Sequence, residues 1–146
     1  MTTPDRARIL VVEDNVMIRK MHGLLLQRFF DVVLTRNYDE ALEAATTQDF
    51  DVFLFDINLG ESRDGIDLLG AVRQLPGRQA VPAIACTAYT TPNHREQFAA
   101  AGFDAFVGKP FTQRDLLEAI GALLNGLPQR ELVPALVTPA TLSYAA

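Results

Sequence analysis

Five short runs of apolar residues, rich in β-branched and aromatic side chains, recur along the chain. They occupy residues 9–12, 32–34, 52–55, 83–86 and 105–107. Runs of this length that do not alternate with polar residues are typical of strands buried on both faces, as in a parallel sheet. We therefore predict five strands in one parallel sheet.

A helix pattern follows each run. Residues 16–29 carry one stripe at helical spacing, formed by Met17, Met21, Leu24, Leu25 and Arg28. This stripe is predicted to face the core, with Arg19, Lys20 and Gln27 turned away. The four later helices are predicted from start and stop signals. These signals are Asn37 with Glu40, Asp64 with Gly65, Thr91 with Pro92 and a stop at Gly102, and Thr112 with Asp115.

The alternation predicts an α/β fold, a (βα)5 doubly wound five-stranded parallel sheet with helices on both faces. The domain is predicted to span 7–126, between a disordered N-terminus at 1–6 and a C-terminal tail at 127–146. The tail has no charge after Glu131, and Pro134 and Pro139 prevent a long regular helix. We expect a flexible extension; docking on the domain or on a second subunit is the alternative.

Length, composition and charge narrow the class of protein. The chain has 146 residues, 49% of them hydrophobic, enough for one compact domain with a core. No apolar run approaches the roughly 20 residues of a membrane span, and no signal peptide is visible, so we expect a cytoplasmic protein. The net charge is −5 without any basic cluster, which argues against nucleic-acid binding. Cys86, the only cysteine, is expected to be a buried thiol, and His22 and His94 to have packing or surface roles.

Polar residues follow four of the five runs. Glu13 and Asp14 follow the first run, Asp56 the third and Thr87 the fourth, while Lys109 follows the fifth after one glycine. The carboxyl ends of parallel strands lie along one edge, and open α/β sheets bind ligands there, where the strand order reverses. If the strand order is 2-1-3-4-5, strands 1 and 3 are neighbours at that point, and the three carboxylates would converge.

Three carboxylates at close range repel one another and need a compensating cation. Oxygen ligands of this kind suit Mg²⁺, or Mn²⁺. With Lys109 and Thr87, the metal could hold the oxygens of a phosphoryl group that Asp56 accepts. Each residue also has a plainer interpretation. Glu13 and Asp14 could be acids at a helix start, and the others could be turn or strand-end residues.

Five motifs together resemble the receiver domain of bacterial response regulators, such as the stand-alone chemotaxis regulator. They are ILVVEDN at 9–15, FLFDINL at 53–59, DG at 64–65, CTA at 86–88 and GKPF at 108–111. The resemblance covers nearly all of 7–126 and implies a flavodoxin-like receiver fold with strand order 2-1-3-4-5.

The resemblance also implies a role for each carboxylate. Asp56 resembles the aspartate that takes a phosphoryl group from a histidine kinase or phosphotransfer protein. Asp14, Asp56 and the backbone carbonyl of Asn58 would hold Mg²⁺, with Glu13 supporting it, partly through water. The chain would then catalyse at most its own phosphorylation and dephosphorylation, and would not be an enzyme in the usual sense.

Other positions carry implied switching roles. Thr87 would hydrogen-bond the phosphoryl group, Lys109 would pair with it, and Phe106 resembles the aromatic residue that turns inward as the threonine moves. Asn58 and Tyr89 would set how fast the phosphoryl group is lost. The bond before Pro110 would be the cis peptide that is typical of the family.

One loop departs from the family pattern. Residues 60–63 make the segment before Asp64 one residue longer than usual, and the family's proline is missing. We therefore expect a more mobile loop, from which Glu61 or Arg63 could reach the site. This departure weakens the assignment of the Asn58 carbonyl but leaves Asp56 unaffected.

The resemblance implies partners as well. The output surface would be the fourth helix (91–101), the fifth strand and the fifth helix (112–125), which would bind a downstream protein or form a homodimer. The chain could be a stand-alone receiver or a receiver excised from a hybrid kinase. Two other functions remain open: a phosphatase of the haloacid-dehalogenase type, which generally needs a second Asp where Asn58 stands, and a receiver-like binding module that is never phosphorylated.

Overall fold

The computed structural model describes residues 6–88, 91–109 and 111–124. Five strands alternate with five helices in this part of the chain, which confirms the predicted (βα)5 pattern. In chain order they are β1 (Arg8–Val12), α1 (Val16–Leu26), β2 (Asp31–Thr35), α2 (Tyr38–Thr47), β3 (Val52–Asp56), α3 (Gly65–Val72), β4 (Ala83–Thr87), α4 (Pro92–Ala101), β5 (Ala105–Gly108) and α5 (Gln113–Leu124). None of the helices among the described residues is long and apolar enough to span a membrane.

The five strands form one sheet in the order β2-β1-β3-β4-β5, with every neighbouring pair parallel. The predicted fold class and strand order are confirmed. The chain leaves β1 towards β2 on one side and returns through β3 on the other, so the order reverses between β1 and β3. Loops that follow β1 and β3 therefore separate at this point and leave a crevice at the carboxyl edge.

The core has two layers because alternate residues of each strand point to opposite faces of the sheet. On one face, side chains such as Leu10, Phe53 and Ala85 pack with α2, α3 and α4. On the other face, side chains such as Ile9 and Leu54 pack with α1 and α5. Burial on both faces explains why the central strands read as continuous apolar runs.

The predicted orientation of α1 is wrong. Met17, Met21 and Leu24 are 69%, 55% and 71% exposed, whereas the buried residues of this helix are His22, Gly23 and Leu26. The helix is apolar over most of its circumference, so spacing alone does not select the inward face.

Gly23 selects the inward face of α1 through close packing. A Cβ atom at Gly23 would lie 2.9 Å from Cδ1 of Leu34 in β2. The missing side chain therefore lets the helix approach the sheet on that side, and the methionine stripe remains outside. The predicted packing role of His22 is confirmed, since its ring is buried and stacks on Phe111.

The ends of the predicted domain are only partly described. Residues 1–5 and the tail at 127–146 lie outside the described residues. Arg6, the last residue of the segment predicted to be disordered, donates hydrogen bonds of 2.6 and 3.2 Å to the carbonyl oxygens of Gln27 and Phe30. This contact ties the chain to the end of α1 before β1 begins.

Candidate functional site

The polar residues predicted to converge lie together at the carboxyl edge of the sheet. Glu13 and Asp14 follow β1, Asp56 is the last residue of β3, Thr87 is the last residue of β4, and Lys109 follows β5. They line one cavity of about 320 Å³, together with Asn58 and Gly60. The parallel register produces this convergence, because β4 pairs with both β3 and β5 up to their last residues.

Lys109 joins two buried carboxylates. Its Nζ lies 3.0 Å from Oε1 of Glu13 and 3.0 Å from Oδ1 of Asp56. Glu13 is 1% exposed and Asp56 is 5% exposed, so these charges interact where water screens them poorly. The backbone fixes the position of the lysine, since its N–H donates to the carbonyl oxygen of Thr87 at 2.8 Å.

The protonation behaviour of the site follows from its burial and its excess of negative charge. Burial, reinforced by the charge of Glu13, raises the pKa of Asp56 to about 7. Burial also raises the pKa of Glu13, but hydrogen bonds from Lys109 and from the backbone N–H of Asn15 outweigh it, so the net pKa is lowered. The pKa of Lys109 is raised, because Asp56 and Glu13 outweigh its own burial. Burial and the neighbouring Glu13 raise the pKa of Asp14 as well, so a further cation would help to ionise both Asp56 and Asp14.

A divalent cation fits this set of donors. Oxygen atoms of Glu13, Asp14 and Asp56 all lie within 4.8 Å of one another. Three carboxylates against the single ammonium of Lys109 leave an excess of negative charge. Asp14 is exposed, so a cation bound there could keep part of its water shell, as Mg²⁺ usually does.

The loop after β3 packs closely against the cavity. The Asn58 side chain accepts a hydrogen bond of 3.0 Å from the backbone N–H of Gly60. Gly60 has φ +71°, and a Cβ there would lie 2.8 Å from Oδ2 of Asp14. The positive φ favours glycine at this position, and a side chain there would also displace the Asp14 carboxylate.

The side chains predicted to reach the site from this loop do not do so. The carboxylate of Glu61 accepts a 3.2 Å hydrogen bond from the backbone N–H of Tyr38 at the start of α2. The guanidinium of Arg63 lies 3.8 Å from the centroid of the Tyr38 ring and pairs with Asp39 at 3.0 Å. The longer loop is thus attached to α2 instead of projecting over the cavity.

Gly65 packs directly against the backbone of Asp56, a role that was not predicted from the sequence. A Cβ at Gly65 would lie 2.4 Å from the carbonyl oxygen of Asp56, and its N–H donates to the carbonyl oxygen of Ile57 at 2.8 Å. Asp64 and Asp67 form the capping box that starts α3 at this point. The Asp-Gly pair was visible in the sequence, but only as a helix start.

The residues predicted to switch are partly described. Thr87 is buried and lines the cavity. Phe106 is buried in β5, and its ring centroid lies 5.9 Å from that of Phe98 in α4. Tyr89 and Pro110 lie outside the described residues, so their predicted roles in dephosphorylation and in a cis peptide stay predictions.

Comparison with known proteins identifies the relatives of this chain. The family model of the response regulator receiver domain matches residues 9–121. The transcriptional regulatory protein ResD of Bacillus subtilis is 31% identical over 130 residues, which are 88% of this chain and 52% of ResD. The signal transduction histidine-protein kinase BarA of Escherichia coli K12 is 31% identical over 132 residues, 90% of this chain and 14% of BarA. This chain therefore spans about half or less of the length of these relatives.

Solved structures agree with the sequence relatives. Chemotaxis protein CheY4 of Vibrio cholerae has a TM-score of 0.78 and 29% identity, over 82% of this chain and 99% of the CheY4 chain. The receiver domain of a sensor histidine kinase from Pseudomonas aeruginosa PAO1 has a TM-score of 0.75 and 27% identity, over 82% of this chain and 98% of that one. That receiver domain has a magnesium ion coordinated in its active site cleft.

Proposed function

Because the chain belongs to the family of response regulator receiver domains, which are signalling modules of two-component systems, we propose that Asp56 accepts a phosphoryl group with Mg²⁺ bound beside it. The donor would be a histidine kinase or a phosphotransfer protein. The observation that carries the proposal is the position of Lys109, whose ammonium lies 3.0 Å from both Glu13 and Asp56 at the carboxyl edge of the sheet. A nucleophilic carboxylate, a cation and a group of metal ligands are the parts that phosphoryl transfer needs.

Asp56 acts as the nucleophile in this proposal. One of its carboxylate oxygens forms a bond to phosphorus as the bond between phosphorus and the donor imidazole nitrogen breaks. That nitrogen keeps the electron pair of the broken bond, and the product on this chain is an acyl phosphate. The chain catalyses at most this step and the later hydrolysis, and Asn58 and Tyr89 would set the rate of hydrolysis.

Glu13, Asp14, Asp56 and the backbone carbonyl of Asn58 would hold Mg²⁺, with Glu13 acting partly through water. When bound, Mg²⁺ neutralises negative charge on the phosphoryl oxygens during transfer. The excess of carboxylate charge and the exposure of Asp14 support this assignment.

Phosphorylation would change the partners of Lys109 and Thr87. The phosphoryl group adds about −1.5 to −2 charge next to Asp56. Lys109 can follow this charge because its ammonium already contacts Asp56, and the Thr87 hydroxyl can donate to a phosphoryl oxygen. The contact between Phe106 and Phe98 would then carry a movement of Thr87 to α4.

The output would be a change at the surface formed by α4, β5 and α5. A downstream protein, or a second copy of the chain, would bind there in one of the two states. Phosphorylation shifts the population between these states only to the extent that the phosphoryl group interacts more favourably with one of them.

Intact-mass measurement with a small phosphodonor tests the proposal. Acetyl phosphate with Mg²⁺ should add one phosphoryl group to the chain, and chelation of the metal should prevent it. Asp56→Asn should abolish the addition, whereas Asp49→Asn should not, because Asp49 lies in the loop before β3 with a 92% exposed side chain. Addition that persists in Asp56→Asn would contradict the proposal, and turnover of a phosphomonoester would favour a phosphatase instead.

A further inference from the structure

A groove runs between α1 and the start of α5 and has no partner among the described residues. Its volume is about 590 Å³. The α1 side is formed mainly by Ile18, Met21 and Leu25, and the other side by Lys109 and Phe111. We call this feature the α1–α5 groove.

Exposed apolar surface is concentrated beside this groove. All the large hydrophobic side chains that are exposed in the described part of the chain belong to α1. They are Val16, Met17, Met21 and Leu24. Met17, Met21 and Leu24 share one side of the helix by their spacing, and exposed apolar side chains grouped in this way are typical of a surface that another segment covers.

His22 belongs to the packed wall of the groove. Its ring lines the groove, is buried and stacks on Phe111 at 5.4 Å between centroids. Its two ring nitrogens are buried without a hydrogen-bond partner among the described residues, so they offer no polar contact to the open side of the groove. An apolar occupant therefore suits this wall better than a charged one.

The chain itself contains a segment of matching chemistry. Residues 132–146 follow Glu131 without a single charge. Their larger apolar side chains are Leu132, Val133, Leu136, Val137, Leu142 and Tyr144. The two prolines of this segment favour an extended backbone, a shape that suits a groove between two helices.

The segment can also reach the groove. The groove lies at the start of α5, and the described chain ends at Leu124, the other end of the same helix. A helix of 12 residues is about 18 Å long. The seven residues 125–131 span up to about 25 Å when extended, so residue 132 can return to the start of α5.

We propose that the apolar segment 132–142 of this chain docks in the α1–α5 groove, with Met21 and Leu25 as its main contacts. Covalent attachment makes the chain's own segment the favoured occupant. The linker gives it an effective concentration in the millimolar range, so even a weak apolar contact is populated.

Docking would affect the phosphorylation site because the two cavities share a wall. Ile18 and Lys109 line both the α1–α5 groove and the acidic cavity. A protein donor whose side chain enters the acidic cavity would therefore have to displace the docked segment, whereas a small donor would not. This consequence rests on the proposed phosphorylation of Asp56, but the docking does not.

Paramagnetic relaxation enhancement in the full chain tests the docking without any phosphodonor. A nitroxide is attached at position 140 of an Ala140→Cys variant. The fully buried Cys86 is replaced by Ala in this variant, so that position 140 carries the only thiol of the chain. Amide signals of Met21 and Leu25 should broaden, and those of the exposed α2 residue Glu43 should not. Equal broadening of both sets, or none at all, would overturn the proposal.

Two exposed methionines of α1 provide a matched pair of variants. Met21 lines the groove, whereas Met17, one turn earlier, does not. Met21→Asp should remove the broadening and Met17→Asp should leave it. Leu136→Asp should also remove it, and this change lies in the tail, so it leaves the folded domain unaltered.

Mixing labelled and unlabelled chains distinguishes the chain's own tail from that of a second copy. Nitroxide-labelled chain without ¹⁵N is added to ¹⁵N-labelled chain without nitroxide. The proposal predicts no broadening in this mixture. Broadening of α1 signals in it would mean that the groove accepts the tail of a second copy, and the proposal would be wrong.

Discussion

Replacing Asp56 by Asn removes the charge that is least favourable in the folded site. Burial and Glu13 raise the pKa of Asp56 from 3.8 to about 7. A difference of about 3 pKa units corresponds to about 4 kcal/mol, which is an upper bound on the cost of ionised Asp56 in the folded chain. The amide must still be buried and Lys109 loses one partner, so we expect Asp56→Asn to stabilise the metal-free chain by about 2 kcal/mol above neutral pH.

The gain from Asp56→Asn should depend on pH. The pKa of Asp56 is higher in the folded than in the unfolded chain, so between about pH 4 and pH 7 the folded state binds more protons. The stability that protonated Asp56 contributes is therefore present below about pH 4 and is lost as the pH rises through about 7. The variant does not lose it, so its advantage should be larger at about pH 8 than at about pH 5.

Urea unfolding followed by far-ultraviolet circular dichroism measures this difference, because the chain contains no tryptophan. Both proteins are unfolded at the two pH values in the presence of a chelator. Asp49→Asn is the control, because it makes the same change of acid to amide at a 92% exposed side chain before β3, at the opposite end of that strand from Asp56. A variant that is no more stable than the wild type at the higher pH, or whose advantage is larger at the lower pH, would refute the reasoning.

Three further predictions concern the same site. Lys109→Met should lower the free energy of unfolding by about 3 kcal/mol at neutral pH, because it leaves Glu13 and Asp56 without their cation; urea unfolding measures this, and an unchanged midpoint would count against the bridge. Gly65→Ala should cost about 1–3 kcal/mol because its Cβ would lie 2.4 Å from the Asp56 carbonyl. Gly70→Ala, which has no atom within 4 Å of its Cβ, should instead stabilise α3 by about 0.5–1 kcal/mol, and equal effects of the two changes would be inconsistent with the packing described. Asp14→Asn should weaken Mg²⁺ binding by about tenfold or more in calorimetry, since it removes one anionic ligand of the proposed site, and an unchanged affinity would exclude Asp14 as a ligand.

The arrangement of the site was predictable from the sequence because it depends on topology. Once the chain is read as a parallel sheet, residues directly after the strands must share one edge. The order 2-1-3-4-5, which the resemblance to receiver domains implied, then places Glu13 and Asp56 at the ends of adjacent strands, and the structure has both 3.0 Å from Lys109. Neither step requires knowledge of side-chain packing.

Features that depend on packing between distant segments were not predictable. The inward face of α1 was predicted wrongly, because this helix carries apolar residues on more than one side and their spacing alone does not select between those sides. Gly23 and Leu34 decide the question by direct contact between elements. The attachment of the loop at 60–63 to Tyr38 is likewise a contact over more than twenty residues, with no local pattern to reveal it.

The position of Gly65 illustrates the same limit. Its importance comes from the carbonyl oxygen of Asp56, which a Cβ would approach to 2.4 Å. A sequence shows where a glycine stands but not what surrounds it, and Asp64 and Asp67 already gave the local pattern a sufficient explanation as a helix cap.

Chemical trapping of the phosphorylated residue tests the central claim most directly. The full chain is incubated with acetyl phosphate and Mg²⁺ and then reduced with borohydride, which converts an acyl phosphate of aspartate to homoserine. Peptide mass spectrometry should find homoserine at position 56 and the unmodified acid at Asp14, and omission of Mg²⁺ should remove the product. Homoserine at another aspartate, or none at position 56 under conditions that modify a known receiver, would contradict the assignment of Asp56 as the phosphoryl acceptor.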